Sequence, residues 1–419
     1  MEKIQEKVSY CLNCKIKPCS KACPLGNDIP SFIEQIKIGN NRKAYEILSN
    51  TTVLESICGR ICPHMSQCMG ACVRGIKSEP VSIGELEAYI GDIAIKENYQ
   101  MSKKQNIGKG KKVAVIGSGP ASLTCSAFLA RQGFEVTIFE KDKELGGILI
   151  HGIPEFRLDR NILNKCINKI IDLGIDVRLE KELEKDIFLE ELIKQYDAIF
   201  LGIGANVPCN MGIEGEELEG VYGGNLLLEK GKHPDYKGKR IAVIGGGNVA
   251  MDCARTINRL GAEKVYVIYR RAREQMPAEE KEIENAINEG VEFLFQNNIV
   301  KILGNTDGKV EKIECIKTQL VKKEGEKRES PIDIKDSNYI IPMDYVVMAI
   351  GSRPNKELMN KLGVQLTSKG YIVVNENYET TIKNVFAGGD IIGSKATVAW
   401  AARGGREAGN SIAKKILSV

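Results

Sequence analysis

Histidine is nearly absent. The 419 residues carry three, His64, His151 and His233, and a single tryptophan, which leaves little room for chemistry built on a catalytic histidine. No run approaches 18 apolar residues free of charge, so no transmembrane helix is expected. The first residues, MEKIQEKVSYCLNC, contain no apolar core of the kind a secretory signal needs. The default expectation is therefore a cytoplasmic protein, in a compartment that keeps thiols reduced. Charge of one sign is missing too. Lys and Arg number 59 against 55 Asp and Glu, a net +4, which gives no reason to expect nucleic acid as a partner. Hydrophobic residues at 43% and charged residues at 27% are ordinary for a globular chain. At about 150 residues per domain, two or three domains with real cores are predicted.

Glycine (42) and cysteine (13) are the two residue types in excess. Many glycines imply tight turns or close backbone approach to a ligand. Eight cysteines fall between Cys11 and Cys72; Cys125, Cys166, Cys209, Cys253 and Cys315 are scattered. The first run is Cys11-x2-Cys14-x4-Cys19-x3-Cys23-Pro24, and the second is Cys58-x3-Cys62-Pro63 followed by Cys68-x3-Cys72. A disulfide framework suits a small secreted domain, and zinc favours two close Cys or His pairs. Iron–sulfur clusters prefer all-thiolate ligation and runs ending in Cys-Pro. On that logic Cys11, Cys14 and Cys19 share one [4Fe-4S] cluster and Cys23 crosses to a second. Between and after the runs, residues 29–50 read as two helical pieces and 82–98 as another. The module is small and helical.

The rest of the chain contains two dinucleotide signatures. KVAVIGSGPAS (112–122) is an apolar strand entering Gly117-Ser-Gly119-Pro120-Ala121, then a helix, then the strand EVTIFE ending at Glu140. The glycines make the turn, the helix N-terminus faces a pyrophosphate, and an acid at Glu140 holds ribose hydroxyls. The third glycine is replaced by Ser122. RIAVIGGGNVA (240–250) repeats the pattern through Gly245, Gly247, Asn248 and Val249, but its second strand ends in Arg270, Arg271 and Arg273. Arginine there suits a 2′-phosphate, so the second site is expected to prefer NADP(H). Two buried strands, in 197–208 and 345–355, each run into a glycine, Gly204 and Gly351, and then a proline, where the chain is expected to cross between domains. NVFAGGD (384–390) is a strand ending in Gly389-Asp390, with Asp390 placed for a ribityl hydroxyl. The final helix starts near Thr397, where its N-terminus would stabilise negative charge on a reduced flavin. No CxxC lies beyond residue 14, which argues against dithiol chemistry. Cys253 reads as core, and His151 as a packed residue.

This layout resembles the FAD/NAD(P) pyridine-nucleotide oxidoreductases. More closely, the Cys runs, CGRICP (58–63), GGILIHGIPEFRL (146–158, with Gly147 and Arg157) and GGGNVAMD (245–252) resemble the glutamate synthase small-subunit family. The same module is similar to the N-terminal part of dihydropyrimidine dehydrogenase and to the large subunit of the bifurcating NADH-dependent ferredoxin:NADP oxidoreductase. The resemblance implies an α/β fold with two Rossmann-like domains, the NADPH domain inserted in the FAD domain, behind an α-helical iron–sulfur domain. Expected bounds are 1–108 for the helical domain, 109–228 and 342–419 for the FAD domain, and 229–341 for the NADPH domain. It implies Cys11, Cys14, Cys19 and Cys72 for one cluster. For the other it implies Cys23, Cys62, Cys68 and a non-cysteine ligand in Ile83-Gly-Glu-Leu-Glu87. Glu87 is the expected ligand, Glu85 its rival, and Cys58 the alternative as an eighth thiolate. Electrons would pass from NADPH through FAD and two [4Fe-4S] clusters to a larger catalytic subunit or a ferredoxin-like acceptor. No terminal substrate site is visible; residues 321–338 read as a charged hairpin.

Overall fold

The computed structural model describes residues 2–101, 106–322 and 329–418. Parts of the expected 101–112 linker (102–105) and of the 321–338 hairpin (323–328) therefore lie outside the described residues. The chain forms two compact units, Met1–Ala205 with Pro354–Val419, and Asn206–Arg353.

The first unit holds a parallel five-stranded sheet in the order Val385–Ala387, Ala198–Leu201, Lys112–Ile116, Glu135–Phe139 and Asp176–Arg178. Apart from the polar edge strand Asp176–Arg178, its strands are short, mostly apolar runs because both faces are covered, as parallel sheets require. Helices Pro120–Ala130 and Val398–Leu417 pack on one another. Helix Pro120–Ala130 is buried at nearly every position, consistent with its lack of a polar face. The N-terminal residues fold as Glu2–Ser9, Pro18–Ala22, Ile29–Lys37, Asn41–Leu48, Glu55–Ile61 and Ile83–Lys96, so the expected helices at 29–50 and 82–98 are present. Ile57, Leu86 and Ile90 share one continuous core with Leu129, Cys166 and Ile170 of the sheet-flanking helices. Buried Arg131 also donates a hydrogen bond from Nη1 to the Ser49 carbonyl at 2.6 Å.

The second unit is also built on a parallel sheet, in the order Val221–Gly223, Tyr345–Met348, Arg240–Ile244, Lys264–Tyr269 and Glu292–Phe295. Helices Asn248–Arg259 and Glu280–Asn288 cover one face through Met251, Ala254, Ile257 and Ile283. Antiparallel strands Asn297–Gly304, Val310–Val321 and Tyr339–Pro342 cover the other through Ile299, Ile302, Ile313 and Cys315. Ser330–Asp333 pairs antiparallel with Val321–Thr318, which flanks the expected hairpin. The unit is wider than the expected 229–341. Val221–Gly223 and Tyr345–Met348 pair inside this sheet, and Val207–Pro208 pairs antiparallel with Ser352–Arg353. The strand-then-glycine pattern at 345–351 is locally the same in both folds; only its neighbours in the sheet place it here. Among the described residues no helix is long and apolar enough to cross a membrane.

Candidate cofactor sites

Two groups of thiols assemble in the helical region. Cys11 and Cys14 lie in the loop after the first helix, Cys19 sits in Pro18–Ala22, and Cys72 precedes the turn Val73–Ile76. All four line one cleft with Ile29, Ile33, Val81 and Ile83. Burial pushes the Cys11 and Cys19 thiols up; neighbouring Cys14 and Cys72 add to the effect on Cys11, and Cys11 and Cys72 to that on Cys19. Four thiols around an apolar cleft, brought from positions 61 residues apart at the extremes, form the donor set an iron–sulfur cluster requires. Metal must then displace these protons, since only thiolates ligate.

The second group contains Cys23, Cys62 and Cys68 around Glu87. Burial, then the Glu87 carboxylate, pushes the Cys23 thiol up to about 11. Cys68 is raised by burial and by Glu87, Cys23 and Cys62. Glu87 lies on the buried face of Ile83–Lys96, and its carboxyl is pushed up to about 8 by burial and the nearby Glu55, against a hydrogen bond from Asn27. Asn27 Nδ2 donates to Glu87 Oε1 at 3.0 Å, and the Thr51 hydroxyl donates to Asn27 Oδ1 at 2.6 Å. Glu85, two residues earlier, points the other way: its side chain is 61% exposed and ion-pairs with Lys7. Cys58 is fully buried beside this group and hydrogen-bonded to Cys62. Among the described residues no three His, Cys, Asp or Glu side chains converge as a single-ion chelate; the first thiol set stands around its cleft rather than on one point.

The flavin-type site forms at the carboxyl edge of the first sheet. Gly117, Glu140, Gly202 and Gly388-Gly389 each follow a strand within three residues. The strand from Lys112 lies between those from Glu135 and Ala198, a topological switch point where open α/β sheets bind ligands. Gly119 caps helix Pro120–Ala130, and a Cβ built there would meet nothing within 4 Å, so space lies open over the helix N-terminus. Gly147 has φ +52°, and a Cβ on it would stand 3.1 Å from Gly119 Cα. These two glycines thus let the GGILIHG segment close on the turn. Glu140 is buried, and burial raises its carboxyl against hydrogen bonds from Ser118 and the Asp142 N–H. The Ser118 hydroxyl also accepts from Gly146 N at 2.9 Å, tying turn, acid and GGILIHG segment together. Asp390 sits in the turn Gly389–Ile392; burial raises its carboxyl, and Ser394 donates to its Oδ1 at 2.8 Å. Gly389 lies against Ala121, and Thr397 caps the last helix by accepting from Trp400 N at 3.3 Å. Arg157 is half-buried in the loop before Arg160–Ile171, and Gly204 lies just beyond Ala198–Leu201. The open cradle, two oriented helix N-termini, the buried Glu140 and the half-buried Asp390 fit FAD.

The second unit repeats the cradle. Gly247 caps Asn248–Arg259 with open space where a side chain would be, and Gly245 packs against the Ala349 carbonyl. Asn248 Oδ1 accepts from Glu279 N at 3.0 Å, and Val249 packs partly into the helix-side core. Gly351 accepts at its carbonyl from Cys209 N, where the chain leaves this unit. At the strand end, Arg270 is exposed and Arg271 half-buried with its Nε lacking a hydrogen-bond partner, whereas Arg273 ion-pairs with Glu280. An unpaired guanidinium nitrogen beside a dinucleotide cradle, with no acid on the strand end, fits a nucleotide bearing a 2′-phosphate. Sequence reasoning missed Ser118 and Asn27. Ser118 carried a signal, a hydroxyl inside the glycine turn; Asn27 carried none, because its partner Glu87 is 60 residues away.

Comparison with known proteins matches residues 111–406 to the pyridine nucleotide-disulphide oxidoreductase family and residues 1–99 to dihydropyrimidine dehydrogenase domain II, 4Fe-4S cluster. The chain is 36% identical to the glutamate synthase [NADPH] small chain of Escherichia coli K12, over 96% of this chain and 89% of that one. It is 34% identical to the NADP(+)-dependent formate dehydrogenase subunit beta of Moorella thermoacetica, over 93% of this chain and 59% of that one. Among solved structures, Mycobacterium tuberculosis FprA in complex with NADPH shares the fold at a TM-score of 0.65 and 19% identity, over 74% of this chain and 84% of that one. The two glycine cradles, the two acids and the thiol-rich helical region therefore belong to an oxidoreductase with a 4Fe-4S domain, and the chain is a member of the pyridine nucleotide-disulphide oxidoreductase family, in the branch that contains the glutamate synthase small chains.

Proposed function

We propose that this chain is an electron-input subunit that takes electrons from NADPH and delivers them, through FAD and two [4Fe-4S] clusters, to a larger catalytic subunit, most nearly of the glutamate synthase (NADPH) kind. The observation that carries the reading is the gathering of Cys11, Cys14, Cys19 and Cys72 in one group and Cys23, Cys62, Cys68 and Glu87 in another, in the same compact unit as the flavin cradle. Bound FAD exchanges a hydride for single electrons, and clusters carry those one at a time.

The protein's part is positioning. Glu140 and Asp390 hold ribose and ribityl hydroxyls. The N-termini of Pro120–Ala130 and Val398–Leu417 bias the site towards negative charge. Arg270 and Arg271 select the 2′-phosphate. No proton relay through histidine is required. Three of the four most exposed large apolar side chains, Leu12, Ile16 and Ile76, lie next in sequence to Cys11, Cys14 and Cys72 or within four residues of them. An apolar rim beside the first thiol set supports delivery to a protein partner. The Moorella relative is a formate dehydrogenase subunit, which supports a second reading in which the same input half serves a different catalytic partner, such as a dihydropyrimidine dehydrogenase or ferredoxin:NADP oxidoreductase assembly.

Anaerobic affinity purification from the native host tests the proposal. Expected are a yellow-brown chain with flavin, about eight iron atoms, NADPH-dependent dye reduction and a stoichiometric larger chain. An amidotransferase partner supports glutamate synthase. A colourless zinc protein overturns the redox reading, and a lone chain that reduces ferredoxin overturns the subunit reading.

A further inference from the structure

Arg406 lies on the helix Val398–Leu417 that closes the flavin fold, yet its side chain reaches the metal-ligand region. Its side chain is only 12% exposed. Nη1 donates to two main-chain carbonyls, Leu25 and Thr51, each at 2.7 Å, and Nη2 donates to Glu407 Oε1 at 2.9 Å. One turn earlier, Arg403 Nη1 donates to the Pro24 carbonyl at 3.3 Å. Pro24 and Leu25 directly follow Cys23. Thr51 donates to Asn27, and Asn27 donates to Glu87. The adjoining Gly405 is closed on the Ala121 carbonyl, in the first turn of the helix that faces the flavin pyrophosphate.

We propose that Arg406 is a positioning residue for the second ligand group, fixing Cys23 and the Glu87 carboxylate relative to the flavin cradle. This rests on reading Cys23, Cys62, Cys68 and Glu87 as ligands of one cluster. The physical argument is geometric. A guanidinium largely removed from solvent must satisfy its donors, and here both hydrogens of Nη1 are used by carbonyls from two segments 26 residues apart. Those segments are the ones that carry Cys23 and, through Thr51 and Asn27, orient Glu87. A planar fork holding two carbonyls fixes both segments at once, which a lysine ammonium does less rigidly. Partners that orient ligands from outside typically change metal affinity 10- to 100-fold when removed. The cleft of the first group is lined by Cys11, Cys14, Cys19 and Cys72 with residues of the neighbouring helices and loops, none of them from Val398–Leu417.

The test uses the full chain, purified anaerobically as wild type, Arg406→Gln, Arg406→Lys and Thr51→Val. Each is titrated electrochemically while its cluster spectra are followed by electron paramagnetic resonance. Iron release to a chelator and flavin content are measured alongside. In Arg406→Gln one cluster is expected to shift its midpoint potential and to lose iron roughly 10- to 100-fold faster. The other cluster and the flavin content stay as in wild type. Arg406→Lys recovers part of the change. Thr51→Val, which leaves the guanidinium in place, gives a smaller change at the same cluster; if Arg406→Gln does not fold, Arg406→Lys against wild type decides the matter. Two clusters in wild type with no selective change in Arg406→Gln or Thr51→Val, or equal change at both clusters, overturns the proposal alone. A single cluster in wild type overturns the ligand-group reading, and the proposal with it.

Discussion

Gly405 offers a severe test of how the flavin cradle is built. The helices Pro120–Ala130 and Val398–Leu417 pack together, and Gly405 faces the Ala121 backbone there. A Cβ at position 405 would stand 1.9 Å from the Ala121 carbonyl oxygen, against an ordinary contact of 3.4 Å or more. The obstructing atom is backbone, so no side-chain rotation relieves it; the helices must separate by about 1.5 Å. Alanine gains about 1 kcal/mol over glycine in a helix interior. Overpacking a close-packed contact costs about 1–3 kcal/mol and more when the backbone must move. Gly405→Ala is therefore expected to lose about 0–2 kcal/mol net, towards the upper end because backbone must move. Flavin retention should fall as well, because Ala121 belongs to the turn that faces the pyrophosphate. Gly409→Ala is the internal control. Its Cβ would meet the Cys125 carbonyl at 3.3 Å, which a shift of a few tenths of an ångström relieves, so the helix gain roughly cancels the cost. Urea unfolding followed by circular dichroism, with bound flavin measured from its absorbance, separates the two. If Gly405→Ala is as stable as Gly409→Ala and holds a full complement of flavin, the close helix contact is not what shapes the cradle.

Replacing Arg270 and Arg271 together with glutamine should raise the KM for NADPH roughly 10- to 100-fold, the loss of one or two charge-assisted hydrogen bonds. The KM for NADH should change little, and equal effects would refute the 2′-phosphate role. Glu87→Ala should remove about half of the bound iron, whereas Glu85→Gln should leave iron content untouched; iron loss in Cys58→Ser with none in Glu87→Ala would make Cys58 the eighth ligand. In the second unit, burial works to raise Glu289, but hydrogen bonds and charges from Arg255 and Arg259 outweigh it and hold its carboxyl at about 2, below the ordinary 4.5. A depressed folded value means that this stabilisation is present above pH 4.5 and is lost as pH falls towards 2. With screening by solvent it is worth roughly 1–2 kcal/mol. Glu289→Gln should therefore lower stability at pH 7 and flatten the decline between pH 4.5 and 2; an unchanged acid-unfolding curve would refute the network's role.

Much of the architecture was legible because its signals are contiguous. KVAVIGSG and RIAVIGGG each put strand, turn and helix start within about ten residues, and the cradles at Gly119 and Gly247 follow from that local order. The two Cys runs were equally plain. Other decisions belonged to packing. Glu85 and Glu87 are two residues apart on one helix and so face different directions; Glu87 shares the buried side with Ile83, Ile90 and Ala94, while Glu85 turns to Lys7 and solvent. Val221–Gly223 and Tyr345–Met348 show their sheet only through their neighbours. Nothing local in the sequence marks Arg131 and Arg406, yet the buried Arg131 and the half-buried Arg406 donate to backbone carbonyls 82 and several hundred residues away in sequence. Local preference and spacing are written along the chain and set the turns, helices and thiol runs. A carbonyl that accepts a bond, or a face that a helix buries, exists only once distant segments meet, and so the nearness of distant thiols, which of two glutamates is buried, and the arginine ties belong to the tertiary structure.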